Sequence, residues 1–343
     1  MYLHVYLRAN RGKLAAGWRI LLLLPLFAGN MNNSYSAMAR PDLEQKSVES
    51  SLLQWAKDNQ FVPAWTPKDG LLKLTSHSTV LSFKVDSMLA EINGVHVWLS
   101  EPIALRRGQP FISCLDLRET IEPILFPQTN QPITTVCLDP GHGGKDTGGV
   151  FGNYMEKQYT LPLAEELGRQ LKTAGFEVML TRTNDTFVEL ADRPGMANRQ
   201  KANLFISLHF NIGPPGLAKG VEVYCLSPAK SSSTNDKGRH KDAAALPGNG
   251  QDAQNVLLAY ELQKSLASNL GVEDRGMRRA RFEVLRSAQM PAVLIEGGFL
   301  SDSDERKKIA DPQYRTRLAT AILQGIVAYQ RLTVPARAPK IDE

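Results

Sequence analysis

Apolar runs rich in β-branched residues alternate with amphipathic segments throughout residues 133–333, and this alternation restricts the chain to few folds. The predicted strands are ITTVCLD, FEVMLTR, NLFISLHF, GVEVYCLS and PAVLIEGG. The predicted helices cover residues 155–174, 189–202, 253–270 and 312–331. Strands that alternate with helices are typical of a sheet covered on both faces. We therefore predict an α/β domain with a mostly parallel central sheet flanked by helices.

A second, smaller sheet is predicted before this domain. The helical segment SLLQWAKDN precedes alternating runs, which are LLKLT, VLSFKV, MLAEING, VHVWLSEPIAL and QPFISCLDL. Turn signals such as Asn93-Gly94 separate some of these runs, as expected for short strands. We expect a small accessory α+β domain at 51–125, a proline-containing linker at 126–132, the α/β domain at 133–333 and a disordered tail at 334–343.

Positive charge is concentrated at the start of the chain. The formal net charge is +5, but residues 1–39 hold four basic and no acidic residues, so the remainder is nearly neutral and a nucleic-acid partner is not expected. The basic stretch precedes the apolar run ILLLLPLFAG and the small-residue pattern Ala37-Met38-Ala39. These are the features of a signal peptide, and a run of about ten apolar residues is too short to span a bilayer. We predict a signal peptide at 1–39, export to the periplasm or cell envelope, and no membrane attachment after cleavage; an uncleaved anchor is the alternative.

The cysteine count limits disulfide pairing. The three cysteines cannot all pair within one chain, and none has the spacing of a zinc knuckle. Cys137 and Cys225 both lie in apolar, strand-like runs. We expect them to be buried free thiols, and a Cys137–Cys225 disulfide is the alternative.

The glycine-rich stretch LDPGHGGKDTGG, residues 138–149, follows the first predicted strand of the α/β domain. It therefore lies at the carboxyl end of that strand, where open α/β sheets bind ligands. Its spacing matches neither phosphate-binding glycine pattern. His142 is the strong metal-binding or proton-transfer group of the loop, and Asp139 and Asp146 could hold its second nitrogen or brace the loop. The alternative is that Asp139 only caps a turn that contains His142.

Three further polar residues lie at corresponding positions in the predicted topology. Glu156 is at the start of the first helix, His209 ends NLFISLHF, and Glu296 ends PAVLIEGG. Buried strand ends seldom carry such groups without partners, because burial of a lone charge is costly. Two histidines and a carboxylate form a recurring catalytic zinc set, and a second glutamate could act as a general base. Together with His142, these residues predict a metal-dependent hydrolytic site.

The motifs resemble a known family. LDPGHGGKDTGG, EKQYTLPLAEELGRQLKTAGFEVMLTRTNDTFVELADRPGMAN, ANLFISLHFN and FEVLRSAQMPAVLIEGGFLSDSDE are similar, in this order, to the motifs of the zinc-dependent N-acetylmuramoyl-L-alanine amidases. These bacterial enzymes cut peptidoglycan between the lactyl group of muramic acid and L-alanine. The resemblance implies Zn²⁺ held by His142, Glu156 and His209. It also implies that Glu296 is the catalytic acid–base group and that the central sheet has about six strands.

Other residues are expected to support this chemistry. Asp139, Arg193 and Asn211 would contact substrate or brace the site, and the alternative for Arg193 is a surface position or a packing salt bridge. The basic run RGMRRARF at 275–282, beside a predicted FEVL strand, could meet stem-peptide carboxylates or form a solvated face. The polar stretch 227–251, which includes His240, is predicted to be a flexible surface loop. A helix that plugs the zinc site, as in some relatives, is the alternative.

The amino-terminal sheet carries its own resemblance. The run LSFKVDSMLAEINGVHVWLSEPIALRRGQPFISCLDLRETIEPIL is similar to the small domain named after the copper amine oxidase N-terminus, which implies an accessory or wall-binding module. The expected partners are peptidoglycan and an activator protein, whose requirement is left open, and the chain is expected to be a monomer. Two alternative functions remain: a noncatalytic wall-binding protein that has kept the fold, and a zinc peptidase acting on another wall bond.

Overall fold

The computed structural model describes residues 49–127, 132–235 and 244–333, all of which belong to one compact unit. The predicted signal peptide, the predicted tail, most of the linker and the centre of the 227–251 stretch with His240 lie outside the described residues. Within the described ranges, no helix is both long enough and apolar enough to cross a membrane.

Residues 49–126, here called the amino-terminal segment, are dominated by short strands. In chain order its elements are β1 (Glu49–Ser51), α1 (Leu52–Asp58), β2 (Val62–Thr66), β3 (Leu71–Thr75), β4 (Val80–Lys84), β5 (Leu89–Ile92), β6 (Val95–Trp98), β7 (Ala104–Arg106), β8 (Gln109–Ser113), α2 (Cys114–Asp116), a π-helical turn (Leu117–Ile121) and α3 (Glu122–Leu125). Strand β3 shows the predicted alternation, since Leu72 and Leu74 are fully buried and the residues between and beside them are exposed.

Residues 133–333, here called the α/β segment, alternate strands with helices as predicted. Its elements are β9 (Thr135–Pro140), β10 (Val150–Phe151), β11 (Tyr154–Met155), α4 (Lys157–Thr173), β12 (Glu177–Leu180), α5 (Asp192–Arg199), β13 (Leu204–Asn211), β14 (Val221–Leu226), a 3₁₀ turn (Pro247–Gln251), α6 (Asp252–Leu270), β15 (Asp274–Ala280), α7 (Glu283–Arg286), β16 (Ala292–Phe299), α8 (Ser303–Ala310) and α9 (Pro312–Thr333).

The central sheet is mixed, so the prediction of a mostly parallel sheet is wrong. Its strand order is β12-β9-β13-β16-β14-β15-β6-β5-β4-β3-β2. Strands β12, β9, β13 and β16 are parallel, whereas β14 runs antiparallel to β16 and parallel to β15. The connection from β13 to β14 contains no helix in the described chain. A parallel neighbour needs a crossover element, and a short connection allows the chain to reverse direction.

The two segments share this sheet. Strand β15 of the α/β segment pairs in parallel with β6 of the amino-terminal segment, and β6 to β2 continue as antiparallel neighbours. Helices α4, α6 and α9 cover one face of the α/β strands, and α5 and α7 lie on the other.

The basic run at 275–282 is mostly strand, and the neighbouring FEVL segment is not a strand. Residues 274–280 form β15, and Glu283–Arg286 form the helix α7. Arg279 is fully buried and Arg278 is 9% exposed, so β15 is not a solvated basic face. The strand could not be recognised from the sequence because arginines occupy positions that are usually apolar. Their charges are neutralised by residues that are distant in sequence.

The two cysteines of the central strands are separate buried thiols. Cys137 lies on β9 and Cys225 on β14, and both are free. Strands β13 and β16 lie between them, so three strand spacings separate them by about 14 Å, beyond the reach of a disulfide. Burial raises the pKa of the Cys225 thiol to about 11. The prediction of buried free thiols is confirmed for this pair.

The first part of the 227–251 stretch packs against the sheet. Ser231, Ser232 and Thr234 are buried, and the Thr234 backbone N–H donates to the carbonyl of Arg279. The Ser231 hydroxyl donates to the Ser100 hydroxyl of the amino-terminal segment. Residues 227–234 are therefore an ordered part of the junction between the two segments, and the prediction of a flexible surface loop is wrong for them.

Candidate metal centre

The predicted site residues converge at the carboxyl edge of β9, β13 and β16. His209 of β13 lies directly opposite Glu296 of β16 in the parallel register. Side chains alternate between the two faces of a strand. Ile206, Leu208 and Ile295 therefore enter the core between the sheet and helices α4, α6 and α9, here called the helix-covered core, and His209 and Glu296 project from the opposite face. The register of β13 with β16 and the two-residue strand period together bring a histidine and a carboxylate side by side.

Glycines let the loop after β9 pass close over the site. A Cβ atom on Gly141 would collide with the His209 imidazole. A Cβ atom on Gly148 would lie 2.5 Å from His142 and 2.6 Å from Glu156, and Gly148 has a φ of +66°. Neither position therefore accommodates a side chain. The loop is poor in side chains because the backbone is a wall of the site.

His142, Glu156 and His209 form one compact set of ligand-type atoms. Glu156 Oε2 lies 3.0 Å from His142 Nε2, and Glu156 Oε1 lies 2.8 Å from His209 Nδ1. One ligand atom from each residue falls within 4.8 Å of the others, so the group could hold a metal ion. Burial favours the neutral acid of Glu156, but hydrogen bonds from the two histidines outweigh burial and lower its pKa.

Asp146 orients the first histidine. Its Oδ2 lies 2.9 Å from His142 Nδ1, which leaves Nε2 directed at Glu156. Burial opposes protonation of His142, but the neighbouring Asp146 and Glu156 carboxylates raise its pKa to about 10. A carboxylate on the second ring nitrogen is the usual way to fix the tautomer of a metal-binding histidine. The sequence prediction that Asp139 or Asp146 holds this nitrogen is fulfilled by Asp146.

Glu296 is beside the ligand set but is not part of it. Its Oε2 atom is buried and has no hydrogen-bond partner among the described residues. Burial, followed by the charges of Glu156 and Glu222, raises the pKa of Glu296 well above its usual value. A buried carboxyl group with an unused oxygen and a raised pKa has the properties of a proton-transfer group.

Asp139 and Arg193 brace the glycine loop from below. Both side chains are almost completely buried, and Arg193 Nη1 lies 2.9 Å from Asp139 Oδ1. Arg193 also donates to the carbonyls of Pro140 and His142. Asp139 accepts hydrogen bonds from the hydroxyls of Ser207 on β13 and Thr181 after β12. The structure therefore places this pair beneath the loop, where it fixes the position of His142.

Asn211 faces a carboxylate that the sequence analysis did not identify. Its side-chain amide donates to Glu222 Oε1, and Glu222 lies opposite Glu296 in the antiparallel β14–β16 register. Glu222 is 2% exposed. Arg182, also unidentified, donates to the carbonyls of Pro140 and Gly141. Glu222 could have been noticed as the single acidic residue in the apolar strand GVEVYCLS. No sequence pattern pointed to Arg182.

The fold and the site together define an α/β enzyme with a candidate metal centre of two histidines and one glutamate. Comparisons with known proteins identify the family within this class. The sequence model of the family described as N-acetylmuramoyl-L-alanine amidase matches residues 136–328. The chain belongs to this family, and its enzyme activity is that of an N-acetylmuramoyl-L-alanine amidase.

Individual relatives are similar over the same region. N-acetylmuramoyl-L-alanine amidase AmiA of Escherichia coli is 31% identical over 217 residues, which cover 57% of this chain and 75% of that protein. N-acetylmuramoyl-L-alanine amidase LytC of Bacillus subtilis is 32% identical over 206 residues, 60% of this chain but only 37% of LytC. The crystal structure of an N-acetylmuramoyl-L-alanine amidase from Clostridium difficile aligns with 34% identity and a TM-score of 0.49, covering 58% of this chain and 97% of that one.

Proposed function

We propose that this protein is an exported, zinc-dependent amidase that hydrolyses the bond between the lactyl group of N-acetylmuramic acid and L-alanine in peptidoglycan. The observation that carries this proposal is the convergence of His142, Glu156 and His209 within 4.8 Å, with Glu296 beside them. Membership of the amidase family supports the choice of substrate and bond.

The residues present suit a zinc ion. Two imidazoles and one carboxylate are a donor set of catalytic zinc sites, which leave a fourth position open. Glu156 is buried and approached by both histidines, so a cation between these three groups would meet donors already assembled. The unpartnered Oε2 of Glu296 is available to a group bound at the open position.

In the proposed mechanism the protein positions both reactants and moves one proton. When bound, the zinc ion would polarise the scissile carbonyl and lower the pKa of the attacking water. Glu296 Oε2 accepts the proton of that water as the new C–O bond forms. The protonated Glu296 then donates to the alanine nitrogen as the C–N bond breaks, so the amine leaves neutral. Asp146, Asp139 and Arg193 keep the ligand loop in place.

The remaining assignments extend this proposal. Residues 1–39 would direct export to the periplasm or cell envelope, and 133–333 would form the catalytic domain. Residues 51–125 would be an accessory domain similar to the copper amine oxidase N-terminus, joined by 126–132. The mature protein would act as a monomer on peptidoglycan, with a protein activator as a partner to be tested.

The test is a digest of purified sacculi with the mature protein, analysed by mass spectrometry. We expect intact stem peptides that begin with L-alanine, loss of their release with a chelator, and restoration by zinc. Cleavage within the stem would reassign the enzyme as a peptidase. Zinc binding without products, in the presence of envelope extract that could supply an activator, would support a noncatalytic wall-binding protein instead.

A further inference from the structure

One face of the sheet carries a row of side chains that starts at the metal centre and runs away from it. Glu296 is the register partner of His209 on one side and of Glu222 on the other. The residues that flank Glu222 on β14, Val221 and Val223, enter the helix-covered core. Because side chains alternate along a strand, Glu222 projects from the same face as Glu296.

The row continues across the junction into the amino-terminal segment. Met277 of β15 is paired with Val97 of β6, and both side chains enter the helix-covered core. Their neighbours Arg278 and Trp98 therefore project from the face of the metal centre. The Arg278 guanidinium lies 4.4 Å from the centre of the Trp98 ring. The row of side chains therefore reaches a tryptophan of the amino-terminal segment.

Glu222 is held from both sides of this row. Its Oε2 lies 3.0 Å from Arg275 Nε and 3.0 Å from Arg278 Nε, and its Oε1 accepts hydrogen bonds from Asn211 and Tyr224. Like charges directly opposite each other on neighbouring strands repel. The two arginines offset this repulsion and hold the Glu222 carboxylate on its β15 side, so that Glu296 can stay beside His209.

Trp98 contacts both of these arginines. Its ring covers the Arg278 guanidinium, and its Nε1–H donates to the Arg275 carbonyl at 2.8 Å. Stacking on an aromatic face restricts a long, flexible arginine side chain. Without the ring, Arg278 keeps the hydrogen bond from its Nη1 to Asn235 Oδ1 and the Glu222 ion pair, but it loses the stacking that restricts its side chain beside Glu222.

We infer that Trp98 is a positioning residue for Glu296 and that it acts through Arg278, Arg275 and Glu222. This inference rests on the proposed function, in which Glu296 transfers the proton. The amino-terminal segment is then part of the catalytic apparatus, in addition to any role in binding the wall. Trp98 itself touches neither the ligand set nor Glu296.

The experiment compares full-length variants with a soluble muramoyl-peptide substrate and records kcat, KM, bound zinc and thermal unfolding. We expect Trp98→Ala to lower kcat about tenfold to hundredfold, since small displacements of a catalytic group have effects of this size. KM and zinc content should stay within twofold of the wild type. Trp98→Phe keeps a ring over Arg278 and should recover most of the loss.

Tyr260→Phe is the matched control. It removes another contact between the segments, the hydrogen bond from Tyr260 to the Ile92 carbonyl, without touching the row. The inference would be overturned by a wild-type kcat in Trp98→Ala, or by equal losses of kcat in Trp98→Ala and Tyr260→Phe. Amidase activity of the wild-type protein would leave the proposed function intact in either case.

A second measurement does not depend on activity. Trp98→Ala, Glu222→Gln and the double variant form a cycle of unfolding free energies. Non-additive effects are expected because Arg278 connects the two residues. Additive effects would show that the row is not coupled, even if the wild-type protein proved inactive on peptidoglycan.

Discussion

The two flanks of Glu296 hold their charges in different ways. On the β13 side, His142 and Asp146 belong to one glycine loop, and the loop rests on the buried Asp139–Arg193 pair. On the β14 side, Glu222 is held by two arginines of β15, of which Arg275 is 53 residues later in the sequence, and Trp98 joins them from the amino-terminal segment. The first flank lies within the α/β segment and combines a short-range contact, His142–Asp146, with the Asp139–Arg193 pair, whose members are 54 residues apart. The second also needs the amino-terminal segment to pair with β15.

The largest effect is expected from the group between the flanks. Glu296→Gln removes the proton acceptor and keeps the size of the side chain, so turnover should fall by about 10²–10⁴-fold. Steady-state kinetics and zinc analysis of the same samples will check this. Glu165→Gln, at an exposed position on α4, is the control and should keep full activity. An active Glu296→Gln enzyme would remove Glu296 from the mechanism.

The flank on the β13 side should respond strongly to loss of one buried charge. Arg193→Met leaves Asp139 buried without its cation, and breaking such a pair typically costs about 3–5 kcal/mol of stability. Urea unfolding measures this loss. Arg199→Met, on the exposed side of the same helix, should change stability little. Equal stabilities of the two variants would mean that the pair does not support the loop.

A smaller loss is expected where β15 meets the amino-terminal segment, because Arg279 makes several separate contacts there. Arg279 donates to the Leu226 carbonyl and to the Thr120 hydroxyl, so Arg279→Met leaves buried acceptors without donors. We expect a loss of about 1–3 kcal/mol in urea unfolding. Arg118→Met, which removes an exposed ion pair, should stay near the wild-type value. An Arg279→Met variant with the unfolding free energy of the wild type would contradict the view that this junction is tightly bonded.

The smallest expected effect is a pH dependence at the same junction. Burial raises the pKa of Asp252 from 3.8 to about 6 despite the nearby Asn249 and Arg279. The folded state therefore binds the Asp252 proton more tightly than the unfolded state does. The resulting contribution to stability is complete below pH 3.8 and is lost as the pH rises to about 6. Discounted for partial exposure, the change is about 1–2 kcal/mol.

Asp252→Asn tests this sign. The variant should lose less stability than the wild type between pH 4 and pH 6, as measured by thermal or urea unfolding at each pH. Parallel curves for the two proteins would show that Asp252 does not titrate with a raised pKa.

Sequence reasoning succeeded where short-range patterns determine the structure. Apolar periodicity located β9, β13 and β16, and the polar residues His209 and Glu296 near the carboxyl ends of β13 and β16 pointed to one edge of the sheet. It failed where partners lie far apart. The direction of β14 depends on a connection without a helix, and β15 looked like a basic surface because Glu222 and the amino-terminal segment were not known to neutralise its arginines.

The pairing of β6 with β15 has a consequence for the order of folding. Trp98 bonds to a residue 177 positions later, so this contact closes a very long loop. Contacts of high sequence separation form slowly, because the chain entropy of loop closure must be overcome first. The antiparallel strands β2 to β6 can assemble early, but the outer side of β6 finds its partner only after residues 274–280 are available. We expect the last kinetic phase of folding to be the docking of these two strands, and therefore to coincide with the appearance of activity.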